Sequence, residues 1–181
     1  MDNQQERFEL ELAWLAGIIE GEGWISLILY KSQQKNKTST IALNANIGMV
    51  NCDTKITDQV CLIFQTLNIK YRYQERAAGI GSDGILRKAK TEVSIFNRQD
   101  IKKLAPLILP YMIGDKKERL LKVLEFFEIR SKKPVSGPKS KYGKEEFILY
   151  KEMYAYKGKS RSKILNDLTL DELIKKFEDK V

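Results

Sequence analysis

The chain has 181 residues, 43% of them hydrophobic and 31% charged, which is apolar material for one ordinary globular domain rather than two. Lysine and arginine number 32 against 24 acids, and the formal charge of +8, with a pI near 9.3, points to a polyanionic partner. Histidine is absent, which excludes histidine general bases, Cys/His zinc sites and Ser-His-Asp hydrolysis and leaves acid–base chemistry to carboxylates, lysines and water.

In chain order, Phe8, Leu12, Leu15 and Ile19 sit at spacings of four, three and four, the stripe of an amphipathic helix. Ala13, Gly17 and Gly21 recur every fourth position beside Ala16, so another backbone can approach this helix closely. Two glycines inside a helix cost roughly 1 kcal/mol each relative to alanine, and something must offset that. Trp24 to Lys31 is β-favouring, and a polar loop, 31–39, follows. From 40 to 50 the odd positions Ile41, Leu43, Ala45, Ile47 and Met49 are apolar while Thr40, Asn44 and Asn46 lie between them, the pattern of a half-buried strand with an open polar face.

Next, Ile56, Val60, Ile63, Phe64 and Leu67 form a helix stripe capped by Asp53 or Thr54. Cys52 and Cys61 flank its start and read as reduced, small hydrophobes, since no second pair completes a metal site. Residues 69–76 place Lys70, Arg72, Gln74 and Arg76 against Ile69, Tyr71 and Tyr73, and after a tip at 77–84, Lys88, Lys90, Glu92 and Ser94 alternate against Ala89, Val93 and Ile95. Helices are expected at 98–109, broken by Pro106, and at 116–130, where Asp115 and Glu118 resemble a capping box before the stripe Leu120, Leu121, Leu124 and Phe127. A lysine-rich linker follows at 131–144. Two further helices, 145–156 and 169–180, the second with a Thr169/Glu172 capping box, complete the chain.

Between Lys31 and Lys90, ten basic residues stand against four acids, so the basic excess coincides with the extended segments and suggests a sheet with a cationic face. No apolar run approaches the ~18 residues of a membrane span and the N-terminus is polar, so the expectation is a soluble protein with no membrane partner. It is expected inside the cell, in the cytoplasm or nucleoid, or in an organelle if the gene is organellar.

The first helix ends in Leu15-Ala16-Gly17-Ile18-Ile19-Glu20-Gly21-Glu22-Gly23, which resembles the LAGLIDADG signature of homing endonucleases, with glutamates in place of both aspartates. Together with the helix-strand-strand order the resemblance covers roughly residues 8–130. It implies an α+β, αββαββα fold with a saddle-shaped antiparallel sheet as the core, 1–130, followed by a basic linker and C-terminal helices, 131–181. Read without the family, Glu20 and Glu22 face the negative end of the helix dipole, a conflict that a hard cation such as Mg²⁺ bound by Glu22 and the carbonyl of Gly21 removes.

One motif per chain, with no second copy, implies a homodimer whose motif helices pack through Ala13, Ala16, Gly17 and Glu20 and place two copies of Glu22 near each other. The implied activity is Mg²⁺-dependent cleavage of both strands of a long, near-palindromic duplex DNA, encoded within an intron or other mobile element. The resemblance carries Lys116, with Lys117 beside it, to the lysine near the metal-bound water, and Asn51 to the water network, although Asn51 also suits a helix cap. Residues expected to face the DNA are Trp24, Ser26, Ile28, Tyr30, Thr40, Asn44, Asn46, Lys70, Arg72, Gln74, Arg76, Lys88 and Lys90. Lys35 and Lys37, with lysines 132, 133, 139 and 141, are expected to neutralise phosphates. The same resemblance fits a splicing factor that binds intron RNA, or a DNA-binding protein that does not cut.

Overall fold

A computed structural model describes residues 3–32, 40–81, 83–134, 141–155 and 169–178. Helix α1 (Asn3–Glu22) leads into strands β1 (Gly23–Ser32) and β2 (Thr40–Asn51), then α2 (Thr54–Thr66) and β3 (Arg72–Arg76). Two short strands, β4 (Gly79–Ile80) and β5 (Leu86–Arg87), precede β6 (Lys90–Ile95). Helix α3 (Arg98–Ile108), a 3-10 turn at Leu109–Tyr111, α4 (Asp115–Ser131), α5 (Lys144–Ala155) and α6 (Leu170–Glu178) follow. The main sheet has the order β1-β2-β6-β3, with β6 antiparallel to both neighbours, and β4 pairs with β5 in a separate ribbon. Helices and an antiparallel sheet in this order are the α+β, αββαββα arrangement expected, with the β4–β5 ribbon added.

Contacts divide the chain into two compact units, Met1–Ile25 with Ala45–Leu120, and Ser26–Asn44 with Leu121–Val181. In the first, α1 packs on α2, α3 and the 3-10 turn, and α2 packs on β6. Leu12, Leu15 and Ile19 of α1 are buried, as are Ile47, Met49, Val93 and Ile95 on one face of β2 and β6. Asp53 caps α2 by accepting the Lys55 N–H at 2.9 Å, as its sequence position predicts. Both cysteines are free, and burial raises the Cys61 thiol above its usual pKa.

Several local expectations are corrected. Lys70 precedes β3, which begins at Arg72, and Lys88 lies between β5 and β6, because β4 and β5 pair as their own ribbon instead of extending the sheet. The tip expected at 77–84 contains β4. Pro106 does not break α3; it lies exposed in the last turn, two residues before the helix ends at Ile108. Asp115 is already the first residue of α4, so its carboxylate pairs with Arg119 one turn on at 3.2 Å instead of forming a box with Glu118.

In the second unit Glu146, on the apolar stripe of α5 with Phe147, Leu149, Tyr150 and Met153, is fully buried. Its carboxylate accepts from Lys133 Nζ at 2.6 Å, Arg130 at 3.4 Å and the Gly143 N–H at 2.7 Å. Arg130 also lies 4.6 Å over the Tyr142 ring, and Tyr142 donates to the Leu43 carbonyl at 3.3 Å. A buried carboxylate requires such neutralisation, so Lys133 is engaged inside the chain and not free for phosphate. Glu146→Gln should cost about 3 kcal/mol in chemical denaturation, the lower end for breaking a buried pair, because both cations stay partly hydrated. Thr169 and Glu172 exchange hydrogen bonds at 2.6 and 3.2 Å, the capping box expected at the start of α6.

Candidate active site and nucleic-acid interface

The C-terminal end of α1 is fixed by two glycines and a lysine. A Cβ on Gly23 would lie 2.7 Å from the Ile19 carbonyl oxygen and 2.8 Å from that of Gly48, both backbone atoms that cannot step aside. One on Gly48 would meet the Trp24 ring at 2.5 Å and the Val93 carbonyl at 2.8 Å. The turn from helix to sheet therefore closes only with glycine at both places. Gly23→Ala should cost about 1–3 kcal/mol of stability in thermal or urea denaturation, the range for overpacking a filled site.

Two residues from a distant stretch, Gly114 and Lys116, grip the same helix end. Lys116 Nζ donates to the Ile19 carbonyl at 2.9 Å and to the Glu20 carbonyl, satisfying oxygens that a helix end leaves without intrahelical donors. Glu20, half-buried, accepts the Gly114 N–H at 3.3 Å, and a side chain on Gly114 would overlap its other oxygen. Asp115 lies between them at the start of α4. Burial pushes the Lys116 ammonium below the ordinary 10.5, reinforced by Arg119 and opposed by the carboxylates of Glu20, Asp115 and Glu22.

Because burial penalises the charged form, this lysine's contribution to stability is present above 10.5 and lost as pH falls through its depressed folded value. A ¹³C NMR titration of its Cε should accordingly place Lys116 below 10.5 and below the exposed lysines.

Glu22 ends α1 with its side chain exposed, and among the described residues its carboxylate has no hydrogen bond or ion pair. Gly21 is likewise exposed. No group of three or more His, Cys, Asp or Glu side chains able to hold a metal ion occurs among the described residues. One carboxylate and one carbonyl suit a hard cation that keeps much of its water, and a second chain would add a second carboxylate. Asn51, half-buried at the end of β2, accepts the Asp53 N–H at 2.9 Å, a turn ahead of α2, while the cap of the helix is Asp53 and not Asn51.

The outer face of α1 carries Leu10, 66% exposed, Trp14, 37% exposed, and Gly17 and Gly21, at both of which a Cβ would meet nothing within 4 Å. Ala13 is half-buried on the same side. Ala16 is a correction: it is completely buried in the chain's own core, since it shares the inward stripe of Leu12, Leu15 and Ile19.

On the sheet, Arg72, Gln74 and Arg76 of β3 stand opposite Ser94, Glu92 and Lys90 of β6, so one face carries the expected polar row. Arg76 forms an ion pair with Glu92 on that face. Lys70, Lys88 and Asn44 are exposed, Lys90 and Ile28 half-buried, and Trp24 half-buried with its ring against Gly48. Ser26 and Asn46 are corrected: they are 2% and 5% exposed and neither is free, because period two assigns a face without saying whether neighbouring side chains cover it. Ser94, on the face paired with Arg72, is covered as well. Tyr30 and Thr40 belong to β1 and β2, but their side chains are not described, and Lys35, Lys37 and Lys139 lie outside the described residues. Lys132 and Lys141 are exposed.

Sequence reasoning missed Gly114, which nothing local marks and which meets Glu20 across 94 positions. It also missed Glu146, although a glutamate on an apolar stripe was a legible signal.

No protein-family model matches the chain, and no curated sequence relative was found for it. Solved structures do resemble it. The homing endonuclease I-CvuI in complex with its target in the presence of calcium is 17% identical, with a TM-score of 0.65 over 95% of this chain and 97% of that one. The archaeal intron-encoded homing endonuclease I-Vdi141I complexed with DNA is 16% identical, with a TM-score of 0.66 over 94% and 96%. The LAGLIDADG homing endonuclease I-GzeII in complex with its DNA target is 14% identical, with a TM-score of 0.58 over 83% of this chain and 46% of that one. With α1 ending in the motif and leading into the first strand of the sheet, the chain has the fold of the LAGLIDADG homing endonucleases.

Proposed function

We propose that the chain is a site-specific DNA endonuclease that works as a homodimer and cuts both strands of a long, near-palindromic duplex, within the compartment that holds the target genome. The observation that carries this is the end of α1, where Glu22 is exposed and unpaired beside an open helix face of small residues. A second copy packed on that face would bring two Glu22 carboxylates together across a twofold axis, and twofold symmetry calls for a palindromic target. The likeness to intron-encoded endonucleases bound to DNA supports both the activity and an origin in a mobile intron.

Glu22 and the carbonyl of Gly21 from each chain would hold a divalent cation such as Mg²⁺, whose Lewis acidity polarises the scissile phosphate and acidifies bound water. Lys116 holds the last carbonyls of α1 and so sets where Glu22 stands. Arg72, Gln74, Asn44 and Lys90 offer donors to base edges, while exposed lysines such as Lys70 and Lys88 neutralise phosphates.

The test is selection of cleaved duplexes from a randomised library in Mg²⁺, with EDTA as control. One near-palindromic sequence cut in both strands, only with the metal, is the expected result. Retention of structured RNA with no cut duplex would overturn the reading in favour of a splicing factor.

A further inference from the structure

We propose that Trp24 is a gate over Ser94: in the free chain the indole lies on Gly48 and shuts the serine hydroxyl away, and on a duplex it turns out and frees that hydroxyl to hydrogen-bond the nucleic acid. The inference rests on the DNA-binding reading above.

Ser94 is 1% exposed, and its hydroxyl has no hydrogen-bond partner among the described residues. It stands on the polar face of β6, opposite Gly48 of β2 on one side and Arg72 of β3 on the other. A hydroxyl buried without a partner gives up its hydrogen bonds to water and gains none in return. Alanine would fill the same place without that loss, so the free fold supplies no reason for a serine here.

Gly48 lets the indole reach this far. The point where its Cβ would stand is 2.5 Å from Trp24 Cζ2 and 2.9 Å from Ser94 Cβ, so the ring edge takes the space beside the serine that a side chain on β2 would otherwise fill. The ring is only half-buried, and its N–H donates to no group among the described residues. An indole N–H is a donor that needs a partner wherever water is excluded. Two polar groups on one face thus lack partners, and one of them covers the other.

The gate stands where a duplex must approach. Trp24 follows Gly23, whose backbone packs on the Gly48 carbonyl, and it lies two residues beyond Glu22. It is the second residue of β1, and turning χ1 to another staggered well moves the ring off Gly48 without moving the strand. The uncovered hydroxyl then offers one donor and two lone pairs, which suit a base edge or a phosphate oxygen alike.

Ser94→Ala is the test, read in two assays with opposite signs. Its urea midpoint should rise, because the free chain loses an unpaired buried hydroxyl. Its affinity for the duplex recovered from the cleavage selection, measured in EDTA, should fall about fivefold, the worth of one net hydrogen bond. In a Trp24→Ala background, where the hydroxyl is uncovered in advance, Ser94→Ala should still lower affinity about fivefold, which a change acting only by displacing the indole would not do. Duplexes with one base pair altered at a time separate the two acceptors: a loss that disappears with one pair marks a base edge, and a loss common to all marks a phosphate. Trp24 is one of two tryptophans, so the difference between wild-type and Trp24→Phe emission isolates it, and that emission should change when duplex is added.

Unchanged duplex affinity of Ser94→Ala, a lowered urea midpoint, or Trp24 emission indifferent to the duplex would overturn the gate while leaving the endonuclease reading intact. Failure of wild type to bind any duplex would overturn both.

Discussion

Glu22→Gln should lower strand cleavage by roughly 10³-fold, at the upper end of what loss of one preorganised group that stabilises developing charge costs, and should leave duplex binding nearly intact. The substitution keeps the shape but removes the charge of a carboxylate that makes no hydrogen bond or ion pair among the described residues. Its side chain is exposed, so folding loses little, and duplex affinity should stay within about fivefold, the size of an exposed charge's contribution. Gel-shift affinity and cleavage of the selected duplex, measured side by side in Mg²⁺, check both halves. Glu20→Gln makes the contrast: its carboxylate is occupied by Gly114, so its effect should reach cleavage only through the position of the helix end. Equal cleavage by wild type and Glu22→Gln would remove the proposed metal site.

Gly17→Arg is expected to abolish the proposed dimer and, with it, cleavage. The choice of residue comes from the open space at Gly17, where a Cβ would meet nothing within 4 Å, so a side chain there is harmless to an isolated chain. In a chain that acted alone, Gly17→Ala would stabilise the helix by roughly 1 kcal/mol through propensity. Between two helices packed through small residues, the same methyl group pushes the backbones apart, and arginine there adds an unpaired charge as well. Sedimentation velocity of wild type, Gly17→Ala and Gly17→Arg should show a dimer, a weakened dimer and a monomer. Full cleavage by a monomeric Gly17→Arg chain would contradict the symmetric site.

The small-residue face and the inward stripe of α1 show how far periodicity reaches. Spacing assigned Leu12, Leu15 and Ile19 to the core and Gly17 and Gly21 to the outside, and both placements hold. Ala16 was misplaced because alanine suits a core and an interface equally well, and only its neighbours on the inward stripe decide. The sheet repeats the point. Alternation put Arg72, Gln74 and Arg76 on one side of their strand and Lys90, Glu92 and Ser94 on one side of theirs, and the register of the sheet brings the two sets together on one face. It could not reveal that Ser26, Asn46 and Ser94 on polar positions are covered.

By itself, then, the sequence determined the main helices, the alternating faces of β2, β3 and β6, the capping of α2 and α6, and the string from Leu15 to Gly23. These follow from period, propensity and short-range hydrogen bonding, which act within a few residues. The tertiary structure alone decided that Lys116 closes the helix end whose carboxylate matters and that Gly114 holds Glu20. It also decided that Glu146 gathers Lys133 and Arg130, and that β4 and β5 leave the sheet as a ribbon. Each of these joins groups brought together by packing, or depends on whether a surface is covered once packing is complete, and neither property is written in local pattern.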